Sequence, residues 1–266
     1  MNKQFVMLSG LPRSGSTVLS SMLNQHPGIY ATPTSPIADL LTIINDNWSH
    51  LSQAIVDQDP RQYANMITGL VNGSYQHLDH SVIIDKNRLW PRFGKLLNYA
   101  LEEKPKIICT VRNISDILAS YILLLNKNPD HGFVDQDLAT MNLHINMKNR
   151  CKILWEKYII QPYTSFRIGY NSTDISIHLV EYNDIINNPQ QVLDSIFEFI
   201  GIDSVPVNTS ALKPVKENDA YHGGLNGLHE IRPILAKTSP LPEKVIGNEI
   251  VNYYNSLKLE FWHKTI

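Results

Sequence analysis

The sequence predicts an α/β fold: a single three-layer domain with a mostly parallel central sheet, helices on both faces and a P-loop-like phosphate-binding turn. Three observations predict it. Short apolar, β-branched runs alternate along the chain with stretches of helical period, the pattern of a parallel sheet whose crossovers are helices. The first run leads directly into "GLPRSGST", residues 10–17, a glycine-bearing turn that opens a helix. The 266 residues are 43% hydrophobic, enough to bury one sizeable core. No repeat, low-complexity tract or change of composition divides them, so residues 1–266 are expected to form one domain.

The runs read as buried strands are residues 5–8, 81–84, 106–111 and 175–180, each short, apolar and β-branched. Helical spacing covers residues 16–24, 37–46, 61–76, 90–102, 115–126, 137–160, 189–200 and 242–257. Between residues 203 and 241 Pro, Gly, Ser and Asn are frequent and the periodicity fades. That stretch is expected to be a long ordered loop packed over the body or a lid above a site, with a flexible linker as the alternative.

Charge and cysteine usage narrow the class. Twenty-three basic and 25 acidic residues leave a net charge of -2. With no Lys/Arg-rich run, broad capture of nucleic acid or of an anionic membrane is not expected, and any anion site must be local. Cys109 and Cys151 cannot form a disulfide framework and are expected in the interior as thiols. No apolar stretch reaches the roughly 18 residues of a membrane span, and the first predicted strand begins too early for a signal peptide, so the expected location is the cytoplasm. The N-x-[ST] triplets at Asn47, Asn72, Asn113, Asn171 and Asn208 are read as chance in an Asn-rich chain, Asn113 lying at a predicted helix start.

Two strand-to-helix turns carry the chemistry. Gly10, Gly15, Ser16 and Thr17 fit the frame G-x-x-x-x-G-K-[ST], except that Ser16 stands where the lysine belongs. Such a turn aims unpaired backbone N–H groups and the positive end of a helix dipole at one point, which favours an anion. Hydroxyls of Ser14, Ser16 and Thr17 can add hydrogen bonds. The missing lysine weakens the case for a triphosphate, because that lysine reaches the β- and γ-phosphates. In the second turn Arg112 ends a predicted strand and Ser120 follows eight residues later, about one turn into a helix that Asn113 or Ser115 can cap. An arginine fork suits a terminal phosphate because it can make two parallel charge-assisted bonds.

These motifs resemble those of the PAPS-dependent sulfotransferases, whose first motif is P-[KR]-S-G-[ST]-[ST] after a strand; Pro12, Arg13, Ser14, Gly15, Ser16 and Thr17 match it. The resemblance implies 3′-phosphoadenosine 5′-phosphosulfate (PAPS) as donor, adenosine 3′,5′-bisphosphate (PAP) as product and no metal. It implies that Arg112 and Ser120, on the pattern R-[DN]-P-x-D-x-x-x-S, hold the 3′-phosphate, with Ile114 replacing the usual proline. Lys86, ending the strand in "SVIIDKNRLWPRF", matches the lysine beside the transferred group, and Tyr182 the tyrosine that approaches adenine. Arg13 and Lys86 would stabilise the leaving 5′-phosphate oxygen. Late in the chain "AYHGGLNGLHEIRP" is similar to the family's Gly-rich lid, with His222, Gly223 and Arg232 suggestive and His229 read as an ordinary surface histidine.

The resemblance supplies no general base. The histidine that follows the lysine by two residues in cytosolic members is Arg88 here, and no glutamate occurs in "ATPTSPIAD", leaving Asp39 and Asp85 as candidates. The acceptor is expected to be a hydroxyl on a carbohydrate, lipid or small molecule, with peptide tyrosine a further option. Trp48, Trp90, Tyr30, Tyr63, Tyr75 and Tyr121 could line its pocket or belong to the core. Two other readings are a P-loop kinase or phosphotransferase with an aberrant loop and a non-catalytic nucleotide-binding module.

Overall fold

Strand β1 (Gln4–Gly10) is buried at every residue but its first, as a strand must be when helices cover both faces of its sheet. It lies at the centre of a computed structural model that describes residues 3–53, 59–101, 103–128, 132–213, 225–235 and 240–263. On one side it pairs in parallel with β3 (Val82–Lys86), beyond which lies β2 (Ile29–Ala31). On the other it pairs with β4 (Lys106–Val111), followed by β5 (Ser176–Glu181). The five-stranded sheet therefore has the order β2-β3-β1-β4-β5, with every carboxyl end at one edge. Leu8 is level with Lys86, and Gly10 with Thr110. Chain order diverges on either side of β1, the kind of place where open α/β sheets bind ligands.

Alternation along the strands supplies both cores. Phe5, Met7, Ile83, Ile107 and Cys109 face one helical layer, while Val6, Leu8, Ile84 and Ile108 face the other. The second layer includes α1 (Ser16–Leu23) and α10 (Pro189–Ile200). On the first lie α2 (Ile37–Trp48), α3 (Pro60–Ser74), α4 (Gly94–Leu101) and α5 (Ile114–Lys127). Beyond them come α6 (Phe133–Thr140) and α7 (Met147–Ile153), the latter continuing through a π-helical segment (Leu154–Ile159) into α8 (Ile160–Tyr170). α9 (Tyr182–Asn187) follows β5; α11 (Pro242–Ile246) and α12 (Asn248–Ser256) close the fold. Cys109 and Cys151 are buried free thiols.

Four boundaries differ from the sequence reading, each for a local reason. β2 is only three residues long, too short to show a period. The helix read from 90 begins as a 3₁₀ turn (Trp90–Phe93), with Pro91 in its first positions. The helix read as 137–160 is two: α6 ends before Asn142, whose φ is 55, and α7 restarts at Asn146, whose side chain accepts from Asn149 N at 2.9 Å. It then passes 160 to Tyr170 despite Pro162, because the wider π turns just before it relax the register into which the proline ring would clash. Gly247 divides the last helix.

The described parts of 203–241 form no helix or strand, yet Leu212, Leu225 and Ile231 are buried. Leu212 N donates to Pro233 O and Leu235 N to Thr209 O, both at 2.9 Å. Residues 225–235 thus form a strap packed on the body. His222 and Gly223 lie outside the described residues. Among the described residues no helix is long and apolar enough to cross a membrane.

Candidate active site

The turn after β1 is shaped by close backbone packing. Gly10 has φ 121, and a Cβ there would lie 2.1 Å from the carbonyl oxygen of Thr110, so only glycine lets β1 and β4 meet at this point. That same carbonyl accepts from Leu11 N at 2.9 Å. Ser14 is fully buried; its hydroxyl bonds to Leu11 O and Thr110 O and lies 2.6 Å from Thr110 Oγ1. The expectation that this hydroxyl faces a ligand is therefore corrected: it is consumed inside the protein, because the tight turn folds it back onto β4. Neither Pro12 nor Ser14 lines either of the two cavities described next. Gly15 precedes α1 with φ 91 and approaches Tyr182 and Ile185 closely, leaving the first N–H groups of α1 open to the edge.

Along α5 the cap is one of the two residues that the sequence reading offered. Asn113 caps the helix, its Oδ1 accepting from Ser115 N at 2.9 Å and Asp116 N at 3.4 Å. Ile114 retains an N–H that proline would lack, and it donates to Glu260 Oε1 at 3.1 Å. Arg112 is 6% exposed, donates from a guanidinium nitrogen to Arg13 O at 2.9 Å, and lies 4.0 Å over the Tyr182 ring. Arg13 Nε donates to Ser120 Oγ at 3.2 Å, and another guanidinium nitrogen donates to Leu228 O of the strap. Arg13 therefore ties together the turn, α5 and the strap. Burial lowers its pKa, and the charges of Arg112 and Arg88 push the same way. Burial likewise lowers that of Arg112.

Seven of the expected nucleotide-binding residues, Arg13, Gly15, Ser16, Thr17, Arg112, Ser120 and Tyr182, line one cavity of about 350 Å³. Arg88, Lys127 and Arg232 add cations, against Glu230 as its sole carboxylate among the described residues. Such a surplus of positive charge in a half-buried space favours an anionic ligand. A second cavity, of about 470 Å³, lies on the β3 side and holds Asp39, Lys86, Tyr121, Phe133, Lys157 and Tyr158. Ser16, Arg88, Leu228 and His229 line both, forming a waist between them. Lys86, 8% exposed, reaches from the second cavity to donate to Thr17 Oγ1 of the first at 2.8 Å.

A family model described as the sulfotransferase domain matches residues 3–221. The chain belongs to the sulfotransferase-domain family. Among curated proteins it is similar to protein-tyrosine sulfotransferase 1 of Danio rerio, 18% identical over 201 residues, covering 74% of this chain and 53% of that protein. It is also similar to protein-tyrosine sulfotransferase 2 of Gallus gallus, 20% identical over 202 residues, covering 74% and 51%. The chain thus spans about half the length of the curated relatives it matches. Among solved structures, mouse sulfotransferase SULT7A1 complexed with PAP superposes with a TM-score of 0.55 at 14% identity, covering 99% of this chain and 86% of that one. The sulfotransferase fold of the chain is thereby shown.

Two residues of this sulfotransferase-family site stand elsewhere than the sequence reading placed them. Arg13 lines the first cavity and Lys86 the second, and Arg88 is the arginine that lines the second cavity with Lys86. Asp85 lines neither cavity. It is fully buried, accepting from Tyr75 Oη at 2.5 Å and Trp90 Nε1 at 2.7 Å. As the neighbour of Lys86 on a strand it must point to the opposite face, and its role as a proton acceptor for a substrate is withdrawn. Asp39 does reach the second cavity, but it accepts from Asn87 Nδ2 at 2.6 Å. Of the six aromatics weighed in the sequence only Tyr121 lines the second cavity, where Phe133 and Tyr158 stand beside it.

Burial raises the Asp85 pKa above its ordinary value of 3.8, the bonds from Tyr75 and Trp90 opposing the shift. A carboxyl whose pKa rises on folding stabilises the fold below its unfolded value, and that contribution is lost as pH climbs through the folded value. Asp85→Asn keeps a group at the same place without the charge, so its stability is expected to lose this part of the wild-type fall with rising pH. Asp85→Ala leaves the buried Trp90 N–H without its acceptor, at an expected cost of about 1–3 kcal/mol, with a smaller loss from the partly buried Tyr75 hydroxyl. Chemical denaturation of the three proteins across pH checks both; parallel pH profiles for wild type and Asp85→Asn would show the carboxyl to be silent.

Proposed function

We propose that this protein transfers a sulfuryl group from PAPS to a hydroxyl of a small molecule, carbohydrate or lipid. The observation that carries the reading is the pair of strand-to-helix anion cradles, at Gly15–Thr17 and at Arg112 with Ser120, opening on one cationic cavity that touches a second at a narrow waist. Two cradles suit a nucleotide with phosphate at both its 5′ and 3′ ends. The α1 amides and the Thr17 hydroxyl bind the 5′ side, while Arg112 and Ser120 bind the 3′-phosphate. Tyr182, one face under Arg112, borders the base. The likeness to a structure complexed with PAP accords with this assignment.

The reaction is an in-line displacement in which the acceptor oxygen attacks sulfur from the second cavity. Charge then grows on the 5′-phosphate oxygen that leaves. Lys86, fixed against Thr17, and Arg88 at the waist are placed to stabilise that charge; preorganised donors of this kind act without reorganising during reaction. Arg13 holds the donor cavity together rather than meeting the sulfur. Asp39 fixes Asn87, whose amide also donates to Ser35 O at 2.7 Å, and so sets the turn that presents Arg88.

Thermal unfolding with PAP and with ADP, in the presence of a chelator, tests the reading. A ligand at 100 times its Kd that binds only the native state adds about 2.7 kcal/mol, roughly 5–11 °C for a chain of this size. PAP is expected to give that shift and ADP, without a 3′-phosphate, much less. Arg112→Ala is expected to lose about 1.5–3 kcal/mol of PAP binding and to narrow the difference. Equal shifts from PAP and ADP would overturn the two-cradle reading.

A further inference from the structure

We propose that Glu260 is a positioning residue for the nucleotide's 3′-phosphate, acting through the backbone N–H of Ile114. The inference rests on the sulfotransferase reading above and concerns the turn that carries Arg112. Ile114 is the first residue of α5, where no residue inside the helix can accept its N–H. The Asn113 side chain serves the next two amides, Ser115 N and Asp116 N, and Asn113 O accepts from Ile117 N at 3.1 Å. Ile114 is fully buried, so water does not replace a lost partner. Glu260 Oε1, at 3.1 Å, serves that amide instead.

The carboxylate is itself held in place. Tyr163 Oη on α8 donates to Leu259 O at 2.9 Å, and a 3₁₀ turn (Phe261–His263) follows Glu260 at once. In that turn the Phe261 ring lies 5.0 Å from that of Phe166, and Trp262 is buried. On α12, Asn255 Oδ1 accepts from the Ser115 hydroxyl at 3.2 Å. Beyond Trp262, His263 Nε2 lies 2.9 Å from Glu181 Oε1, and Glu181 is the residue before Tyr182. Residues 255–263 thus grip both turns that frame the 3′ side of the cavity, the one at Arg112 and the one at Tyr182.

Arg112 precedes Ile114 by two residues and Ser120 follows it by six. The angle at which α5 leaves β4 therefore sets the distance between the two groups assigned to the phosphate. A proline at 114 would fix that angle through its own ring and carry no N–H to satisfy. Isoleucine needs the outside acceptor. Asn113, with φ -53 and ψ 137, already has the backbone that a following proline demands. Glu260 and a proline at 114 are two solutions to one problem.

Calorimetric titration of PAP and ADP into wild type, Glu260→Ala, Glu260→Gln, Ile114→Pro and Ile114→Pro/Glu260→Ala tests this. Glu260→Ala is expected to weaken PAP by about 3–10-fold, within the range of coupling inside one hydrogen-bond network, and ADP, which lacks the 3′-phosphate, by less than about twofold. Glu260→Gln, whose amide oxygen still accepts, is expected to bind PAP as wild type does. Ile114→Pro removes the donor, so in that background Glu260→Ala is expected to change PAP affinity no further. Equal losses for PAP and ADP, a loss in Glu260→Gln as large as in Glu260→Ala, or the same loss with proline at 114 would overturn the assignment, as would unchanged PAP affinity in Glu260→Ala. If Glu260→Ala does not fold, a double variant that folds and binds PAP like Ile114→Pro supports the inference, and one that also fails to fold overturns it. Wild type that binds PAP and ADP equally would instead overturn the two-cradle reading itself.

Discussion

Replacing Lys86 with alanine is expected to lower kcat by about 10²–10³-fold, the loss typical of removing one preorganised donor to a developing oxyanion. Its ammonium is nearly buried and bonded to Thr17 on the first turn of α1, beside the cradle assigned to the 5′-phosphate. In the ground state that phosphate oxygen is bonded to sulfur and carries little charge, so the interaction strengthens only as the bond breaks. Interactions of that kind raise kcat rather than substrate affinity. The Kd for PAP, which carries the released oxygen, bounds the static part of the contact. The measurement is steady-state PAPS turnover beside calorimetric PAP binding. Near-normal turnover, or a rise in Kd as large as the fall in kcat, would assign Lys86 to binding alone.

Gly10→Ala is expected to destabilise the fold by about 3 kcal/mol or more, combining a disfavoured left-handed backbone with overpacking. The added methyl would lie 2.1 Å from the Thr110 carbonyl oxygen, and both partners are main chain, so no rotamer change relieves the contact. β1 and β4 would have to part at the place where Leu11 N and the Ser14 hydroxyl bond to the same carbonyl. A drop of roughly 6–12 °C in Tm corresponds to that loss in a chain of this size. PAP affinity should fall with it, because the turn that forms the first cradle starts from this contact. A variant with unchanged Tm would mean that the sheet can open here without penalty.

What was legible in the sequence was local. Gly10 to Thr17 and Arg112 to Ser120 are each a strand end passing into a helix start, and their spacing fixes which residues share an edge once the strands are parallel. Asp85 was misplaced although the signal was present: on a strand, adjacent residues face opposite sides, so a Lys86 turned toward α1 excludes Asp85 from that side. Other features depend on chain segments far apart. Arg13 meets Leu228 across 215 positions, and Phe133, Tyr158 and Asp39 reach one cavity from three different helices. Neither periodicity nor spacing encodes such meetings. Arg88 stands where cytosolic members carry a histidine, and its own contribution, a cation shared by both cavities, depends on the fold.

The grip of Arg13 on the strap is made to the carbonyl of Leu228, not to its side chain. Every amino acid offers the same oxygen, so this tether places no demand on which residue occupies the position. The clasp with Asn128 likewise reads only the N–H and C=O of residue 226. A segment secured through its main chain can change its letters while keeping its path. That freedom leaves the strap's path along the first cavity set at residues 226 and 228 without a demand on their side chains.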